Sequence, residues 1–203
     1  MTRLLLASAS PARLSTLQAA GIAPMVEVST VDEDAVLAAA GAVTPAQAVL
    51  ILARAKAQDV AARRADPADE AVLVLGCDSM LELDGAVLGK PADEADATAR
   101  WRAMRGRTGV LHTGHWLVGP GGAAGATAST TVEFADLSDD EIDAYVATGE
   151  PLRVAGAFTV DGLGGPFVER IEGDYHTVVG LSLPLLRRLL AELGVPVTQL
   201  WTR

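Results

Sequence analysis

Arg3-Leu4-Leu5-Leu6-Ala7-Ser8-Ala9-Ser10-Pro11-Ala12-Arg13 decides the fold class. Leu4 to Ala7 is a short apolar run of the kind that forms a buried strand. Ser10 suits a helix N-cap, and Pro11 suits the first helical position, where its missing N–H costs nothing. The helix is expected over 11–20 and stops at Gly21. A strand-to-helix turn of this kind aims backbone N–H groups and the positive end of a helix dipole at one point, which attracts phosphate. Ser8 and Ser10 add hydroxyls, and Arg13 adds a fork of charged donors. The same residues equally describe a plain capped helix after a strand, and this stretch alone leaves both readings open.

Composition sets the outer bounds. A chain of 203 residues, half of them hydrophobic and only 4% aromatic, fits one α/β domain. A single domain over 1–203 with two lobes around a cleft is expected. The formal net charge of −10 argues against a nonspecific nucleic-acid or membrane surface, while leaving room for a local basic pocket. The apolar run after Met1-Thr2-Arg3 is too short for a signal peptide, and no stretch reaches the length of a membrane span. One cysteine, Cys77, excludes an intrachain disulfide and fits a reducing, cytoplasmic setting.

Further along, residues 25–29 read as a second strand and Asp32-Glu33-Asp34 as an acidic loop. Such acids form a solvated turn or face a metal, since Mg²⁺ takes one or two carboxylates and keeps water and substrate oxygens. Thr44-Pro45 opens the longest helix, to about residue 64. On it Lys56 falls in line with Val49, Leu52 and Val60, so its ammonium either snorkels to water or reaches inward. A polar connection over 66–70 leads to Val72-Leu73-Val74-Leu75-Gly76, a buried central strand expected to end at Cys77-Asp78-Ser79. An acid at a strand end in an α/β protein sits where sites are commonly built, and its burial demands a cation or a metal. Asp84-Gly85 marks a hairpin that delivers Gly89-Lys90-Pro91, with Lys90 a point charge suited to phosphate.

The second half is expected to hold a helix over 93–104 with Trp101 and Met104 in the core. Two β-rich runs follow, over 110–118 and 127–135, joined by a glycine-rich hairpin loop. His112 and His115 show no metal-ligand spacing and read as structural. Ser138 and Glu141 form a capping box. A glycine-punctuated stretch over 156–173 carries Asp161 and Glu169, and Ser182-Leu183-Pro184 starts a last amphipathic helix. There is no Walker-type loop and no G-x-G-x-x-G after a strand. Spacing alone therefore ends at an α/β protein with a candidate anion site.

The ordered set of motifs is more specific than any one of them. Leu6-Ala7-Ser8-Ala9-Ser10-Pro11-Ala12-Arg13, Val31-Asp32-Glu33, Ala53-Arg54-Ala55-Lys56-Ala57, Gly76-Cys77-Asp78-Ser79 and Leu88-Gly89-Lys90-Pro91 come first. Gly149-Glu150-Pro151, Ala155-Gly156-Ala157-Phe158, Asp161-Gly162-Leu163-Gly164-Gly165 and Val178-Val179-Gly180-Leu181 follow. Together they make the chain resemble the Maf family of nucleoside triphosphate pyrophosphatases, collinearly over nearly its whole length. The resemblance implies a mixed twisted sheet with flanking helices, like the inosine triphosphate pyrophosphatase-like enzymes, and often a homodimer. It implies hydrolysis of a nucleoside triphosphate to the monophosphate and pyrophosphate, with a divalent cation, Mg²⁺ or Mn²⁺.

By position, Asp78 matches the catalytic proton acceptor, and Glu33 and Lys56 match catalytic site positions, with Glu33 and Asp78 on the metal. Ser8, Ser10, Arg13, Lys56, Lys90 and Asp161 match substrate-binding positions. Two departures stand out. The branch acting on dTTP and UTP has an arginine where this chain has Ala12 and a glutamine where it has Asp161. An amide offers both a donor and an acceptor to a base edge, whereas a carboxylate only accepts, so the base preference of that branch does not carry over. The branch acting on 7-methyl-GTP also lacks that arginine, having a tryptophan there. The competing reading is a nucleotide-binding regulator of septum formation with little catalysis, and a third is a hydrolase releasing orthophosphate from the γ position.

Overall fold

Two periodicities build the chain. Runs alternating at period two form strands, and capped runs at period 3.6 form helices. The structure is a computed structural model, and it describes residues 2–64 and 72–202. The polar connection expected over 66–70 lies outside the described residues. In chain order the elements are β1 (Arg3–Leu6), α1 (Pro11–Ala19), β2 (Met25–Val26), α2 (Glu33–Ala40), α3 (Pro45–Ala62), β3 (Val72–Leu83) and β4 (Ala86–Leu88). They continue with α4 (Glu94–Met104), β5 (Thr108–Gly119), β6 (Gly122–Phe134), α5 (Asp139–Ala147), β7 (Val168–Glu172), α6 (Tyr175–Val179) and α7 (Leu183–Glu192). The strands form one mixed seven-stranded sheet in the order β2-β1-β3-β5-β6-β7, with β4 paired to β3. This is the α/β class expected from the composition. No described helix is long and apolar enough to cross a membrane.

The chain divides into two units. The first comprises 1–78, 113–128 and 180–203, and the second 79–112 and 129–179, so β3, β5 and β6 each supply residues to both.

In the first unit β1 pairs in parallel with both β2 and β3, in the register Leu4↔Leu73 and Leu6↔Leu75. Both faces of these strands are covered. Leu4, Leu6, Leu73, Leu75 and Cys77 pack with Leu185, Leu186, Leu189 and Leu190 of α7. Leu5, Ala7, Val72 and Val74 pack with Ala57 and Val60 of α3. That double burial is why the strands read as unbroken apolar runs.

Helix α3 lies unusually close to the sheet, and two glycines are the reason. A Cβ on Gly76 would fall on the carbonyl oxygen of Ala53 and within 2.8 Å of the Ala57 nitrogen. A Cβ on Gly114 would fall on the Val49 carbonyl and within 2.6 Å of the Leu50 nitrogen. Gly76→Ala is therefore expected to push α3 off the sheet, lowering stability by about 1–3 kcal/mol, the usual cost of overpacking. Denaturant unfolding measures this, and a midpoint equal to that of the wild type would contradict the close approach.

The second unit has its own core around Trp101, which is fully buried with Met104 as expected. The Trp101 indole N–H donates to the Ala157 carbonyl at 2.8 Å, and the ring meets Phe134, Tyr145 and Phe167 edge to face. The Asp84-Gly85 hairpin forms as expected, with both residues at positive φ (52° and 79°) and Leu83 opposite Ala86. Ser138 and Glu141 make their capping box.

Four expectations need correction. Asp32-Glu33-Asp34 is not a loop. The Asp32 carboxylate accepts from Ala35 N–H at 3.0 Å and caps α2, while Glu33 and Asp34 occupy its first turn, where acids complement the helix dipole. The β2 strand covers only Met25 and Val26 of the expected 25–29. β3 does not end at Cys77-Asp78-Ser79; it runs on to Leu83, because its far half pairs with β4. The glycine-rich loop shrinks to a tight turn because β5 and β6 extend to Gly119 and Gly122.

Candidate active site

Period-two alternation along β3 selects which side chains can meet α3. Val72, Val74, Gly76 and Asp78 share one face, and Val72 and Val74 already pack against α3. Parallel pairing with β1 covers 72–75, and Ala7 N–H donates to the Leu75 carbonyl at 2.8 Å. Asp78 and Ser8 therefore stand just past the carboxyl ends of the parallel strands, where α/β sheets commonly bind ligands.

Asp78 is 7% exposed, and burial alone would make its charge costly. Lys56 answers it: Nζ donates to Asp78 Oδ1 at 2.6 Å and meets Glu33 Oε1 at 2.8 Å. The Lys56 stem descends beside the buried Leu52 and Val60, so the inward reading of this lysine is the one realised. Burial pushes the Asp78 carboxyl above its usual range, and the positive charges of Lys56 and Arg13 only partly oppose this. The result is a carboxylate with enhanced basicity held in a fixed direction by an ammonium.

Arg13 is more occupied than its sequence position suggests. Its Nε donates to the Gly180 carbonyl at 2.8 Å, and its Nη1 donates to Ser8 Oγ and to the Cys77 carbonyl, both at 2.9 Å. It thus ties the β1–α1 turn to β3 and to the segment before α7, and brings its charge close to Asp78. The α1 terminus is similarly committed. Pro11 has no N–H, Arg13 N–H goes to Ser10 Oγ at 3.4 Å, and Ser10 N–H goes to Ser8 Oγ at 3.2 Å. Ser8 and Ser10 therefore shape the turn as well as carrying hydroxyls.

Between Arg13 and Asp78 lies Cys77, fully buried on the α7 face. Burial raises its thiol to about 12, so almost no thiolate exists at neutral pH. Alkylation by iodoacetamide is expected only on unfolding, and modification of the native protein within minutes at pH 8 would contradict this environment.

Five of the expected site residues thus gather in the first unit with direct contacts: Ser8, Arg13, Glu33, Lys56 and Asp78. Ser10 joins them through the turn. Lys90 and Asp161 belong to the second unit. Lys90 follows β4, and its carbonyl accepts from Arg100 Nη2 at 3.4 Å. Asp161 is exposed in a turn, close enough to Tyr175 for its charge to contribute, after burial, to raising that phenol.

His112 and His115 each link separate segments of the chain. His115 Nε2 accepts from the Ser182 N–H at 2.8 Å, so the ring is written with its proton on Nδ1, facing the Thr113 carbonyl at 3.0 Å. His112 stands between Glu82 and Ser129. Sequence reasoning missed Glu150, whose carboxylate gathers donors from both sides of a glycine-rich turn. The only signal was its place in Gly149-Glu150-Pro151 after a helix stop.

The fold and this cluster define a class: an α/β protein in which a lysine links a buried aspartate to an exposed glutamate at the end of its parallel strands. The chain matches the Maf-like protein family over residues 3–193, and it belongs to that family. It is 65% identical over 203 residues to a nucleoside triphosphate pyrophosphatase of Salinispora tropica, covering 99% of this chain and 88% of the relative. It is 60% identical to one of Streptomyces coelicolor (98% and 94% covered) and 51% identical to one of Mycobacterium marinum (99% and 97%), both with the same description.

Proposed function

We propose that this protein is a nucleoside triphosphate pyrophosphatase, as its relatives are named, and that Asp78 is its proton acceptor. The observation that carries the chemistry is the buried Asp78 carboxylate, raised by desolvation and aimed by Lys56 at 2.6 Å. In the reaction a water oxygen bonds to the α-phosphorus. The α–β anhydride bond breaks, pyrophosphate leaves with the bonding electron pair, and the water's proton passes to Asp78. Lys56 and Arg13 supply fixed positive charge near that proton acceptor, and Lys90 and Asp161 bind the nucleotide. A role confined to nucleotide binding is not favoured, because binding alone gives no reason to bury an ionisable acid against a lysine.

A divalent cation fits the donor set. Glu33 and Asp78 already converge on one cation, the Lys56 ammonium, and two carboxylates are what Mg²⁺ or Mn²⁺ ordinarily takes from a protein. Glu33 and Asp78 would hold it. When bound, the ion supplies Lewis-acid stabilisation of charge on the phosphate oxygens.

The test is hydrolysis of the common and modified nucleoside triphosphates with Mg²⁺ and with Mn²⁺, products resolved by chromatography. Monophosphate plus pyrophosphate is expected. Diphosphate plus orthophosphate would overturn the bond assignment, and binding without turnover would overturn the enzymatic reading.

A further inference from the structure

Glu150 follows α5 in the second unit, and four donors converge on its carboxylate. Tyr145 OH reaches Oε1 at 2.9 Å and Thr159 Oγ1 reaches it at 2.5 Å. The Gly164 N–H reaches Oε1 and the Leu163 N–H reaches Oε2, each at 3.1 Å. Only the tyrosine comes from α5; the other three come from the turn over residues 159–164. Thr159 closes the ring, its N–H donating to Tyr145 OH at 3.2 Å while its Oγ1 accepts from the Gly164 N–H at 3.3 Å.

Two glycines make room for this arrangement. A Cβ on Gly162 would sit 2.6 Å from Glu150 Oε2, and one on Gly164 would fall on the Tyr145 hydroxyl oxygen. The turn is thus wrapped around one carboxylate. Burial would raise that acid, but the bonds from Thr159, Leu163, Tyr145 and Gly164 outweigh it and hold Glu150 in its charged form. An ionised acceptor makes each bond stronger than a neutral one would be.

Asp161 rides on this turn. Its own side chain has no hydrogen-bond partner among the described residues. Whatever holds it in place must act through the backbone on either side, and Thr159, Leu163 and Gly164 are its near neighbours. We propose that Glu150 is a positioning residue for nucleobase selection: it fixes the 159–164 turn so that Asp161 presents an acceptor to N–H groups on the base edge. The inference rests on the reading of Asp161 as a nucleotide contact. Uracil and hypoxanthine offer a single ring N–H beside carbonyl oxygens that repel a carboxylate, whereas cytosine offers an amino group and guanine two adjacent donors, so selection favours CTP over UTP and GTP over ITP.

The experiment measures kcat and KM for these four nucleotides in the wild type, Asp161→Ala, Glu150→Gln and the double variant, with thermal melting of each. Thr159→Val removes the shortest bond with little change of volume and serves if Glu150→Gln does not fold. Glu150→Gln is expected to keep kcat on the better nucleotides, to raise their KM, and to lose roughly 10-fold or more of the CTP/UTP and GTP/ITP discrimination. The double variant is expected to be no less selective than Asp161→Ala alone. Unchanged ratios in Glu150→Gln or Thr159→Val, with altered ratios in Asp161→Ala, would overturn the positioning role and leave the Asp161 reading intact. Unchanged ratios in Asp161→Ala would overturn both. An equal loss of activity on all four nucleotides, with a lowered melting temperature, would reduce Glu150 to a structural part.

Discussion

Asp78→Asn is expected to lower kcat by about 10²-fold or more while the protein remains folded, the scale of a lost general base. The amide keeps the size of the side chain but cannot take up the proton. Lys56 retains Glu33 Oε1 at 2.8 Å, so removing one carboxylate does not strand the ammonium. The pH profile adds a second readout. A base works only when deprotonated, so activity falls as pH drops through its pKa. Burial raises the Asp78 carboxyl and a cation on the same carboxylate opposes this, so the acid limb of kcat/KM is expected to move to lower pH as Mg²⁺ is raised. In Asp78→Asn the residual activity is expected to lack that limb. Near-normal turnover by this variant, with an unchanged circular dichroism spectrum, would remove Asp78 from the role.

The second large effect is on stability. Arg13→Ala is expected to cost about 3 kcal/mol or more, which corresponds to a fall in melting temperature of roughly 6–12 °C for a chain of this size. Three acceptors lose their charged donor: the carbonyls of Gly180 and Cys77, and Ser8 Oγ. All three bonds are buried, so water does not simply replace the guanidinium. Arg13→Lys should recover little, because one ammonium cannot reproduce a planar fork spanning three chain segments. A melting temperature within 2 °C (about 1 kcal/mol or less) for Arg13→Ala would show that these bonds contribute little. Activity is expected to fall as well, since the turn holding Ser8 and the charge beside Asp78 are lost together.

The contrast between these residues marks what can be read along a chain. The Ser10-Pro11 cap, the Thr44-Pro45 helix start, the Ser138-Glu141 box and the Asp84-Gly85 turn are local chemistry, and each forms where its residues predict. Local reading failed where the partner lay elsewhere. β3 outruns its apolar segment because β4 pairs with its far half, and Asp32 caps a helix that three adjacent acids disguise as a solvated turn. The site residues were picked out by an ordered set of family motifs, since no spacing rule links Glu33, Lys56 and Asp78. Glu150 escaped notice because its partners lie up to 14 residues away.

By itself the sequence determined the α/β class, the buried strands, the starts of α1, α3, α4, α5 and α7 and the candidate acids and bases. Tertiary structure alone decided which of them meet. Lys56 and Asp78 are 22 residues apart on different elements, and they meet because strand alternation puts Asp78 on the α3 face. Glycines at 76 and 114 then let that helix settle onto the sheet. Only this approach brings an ammonium within 2.6 Å of a buried carboxylate, and the low polarity of that position makes the pair matter.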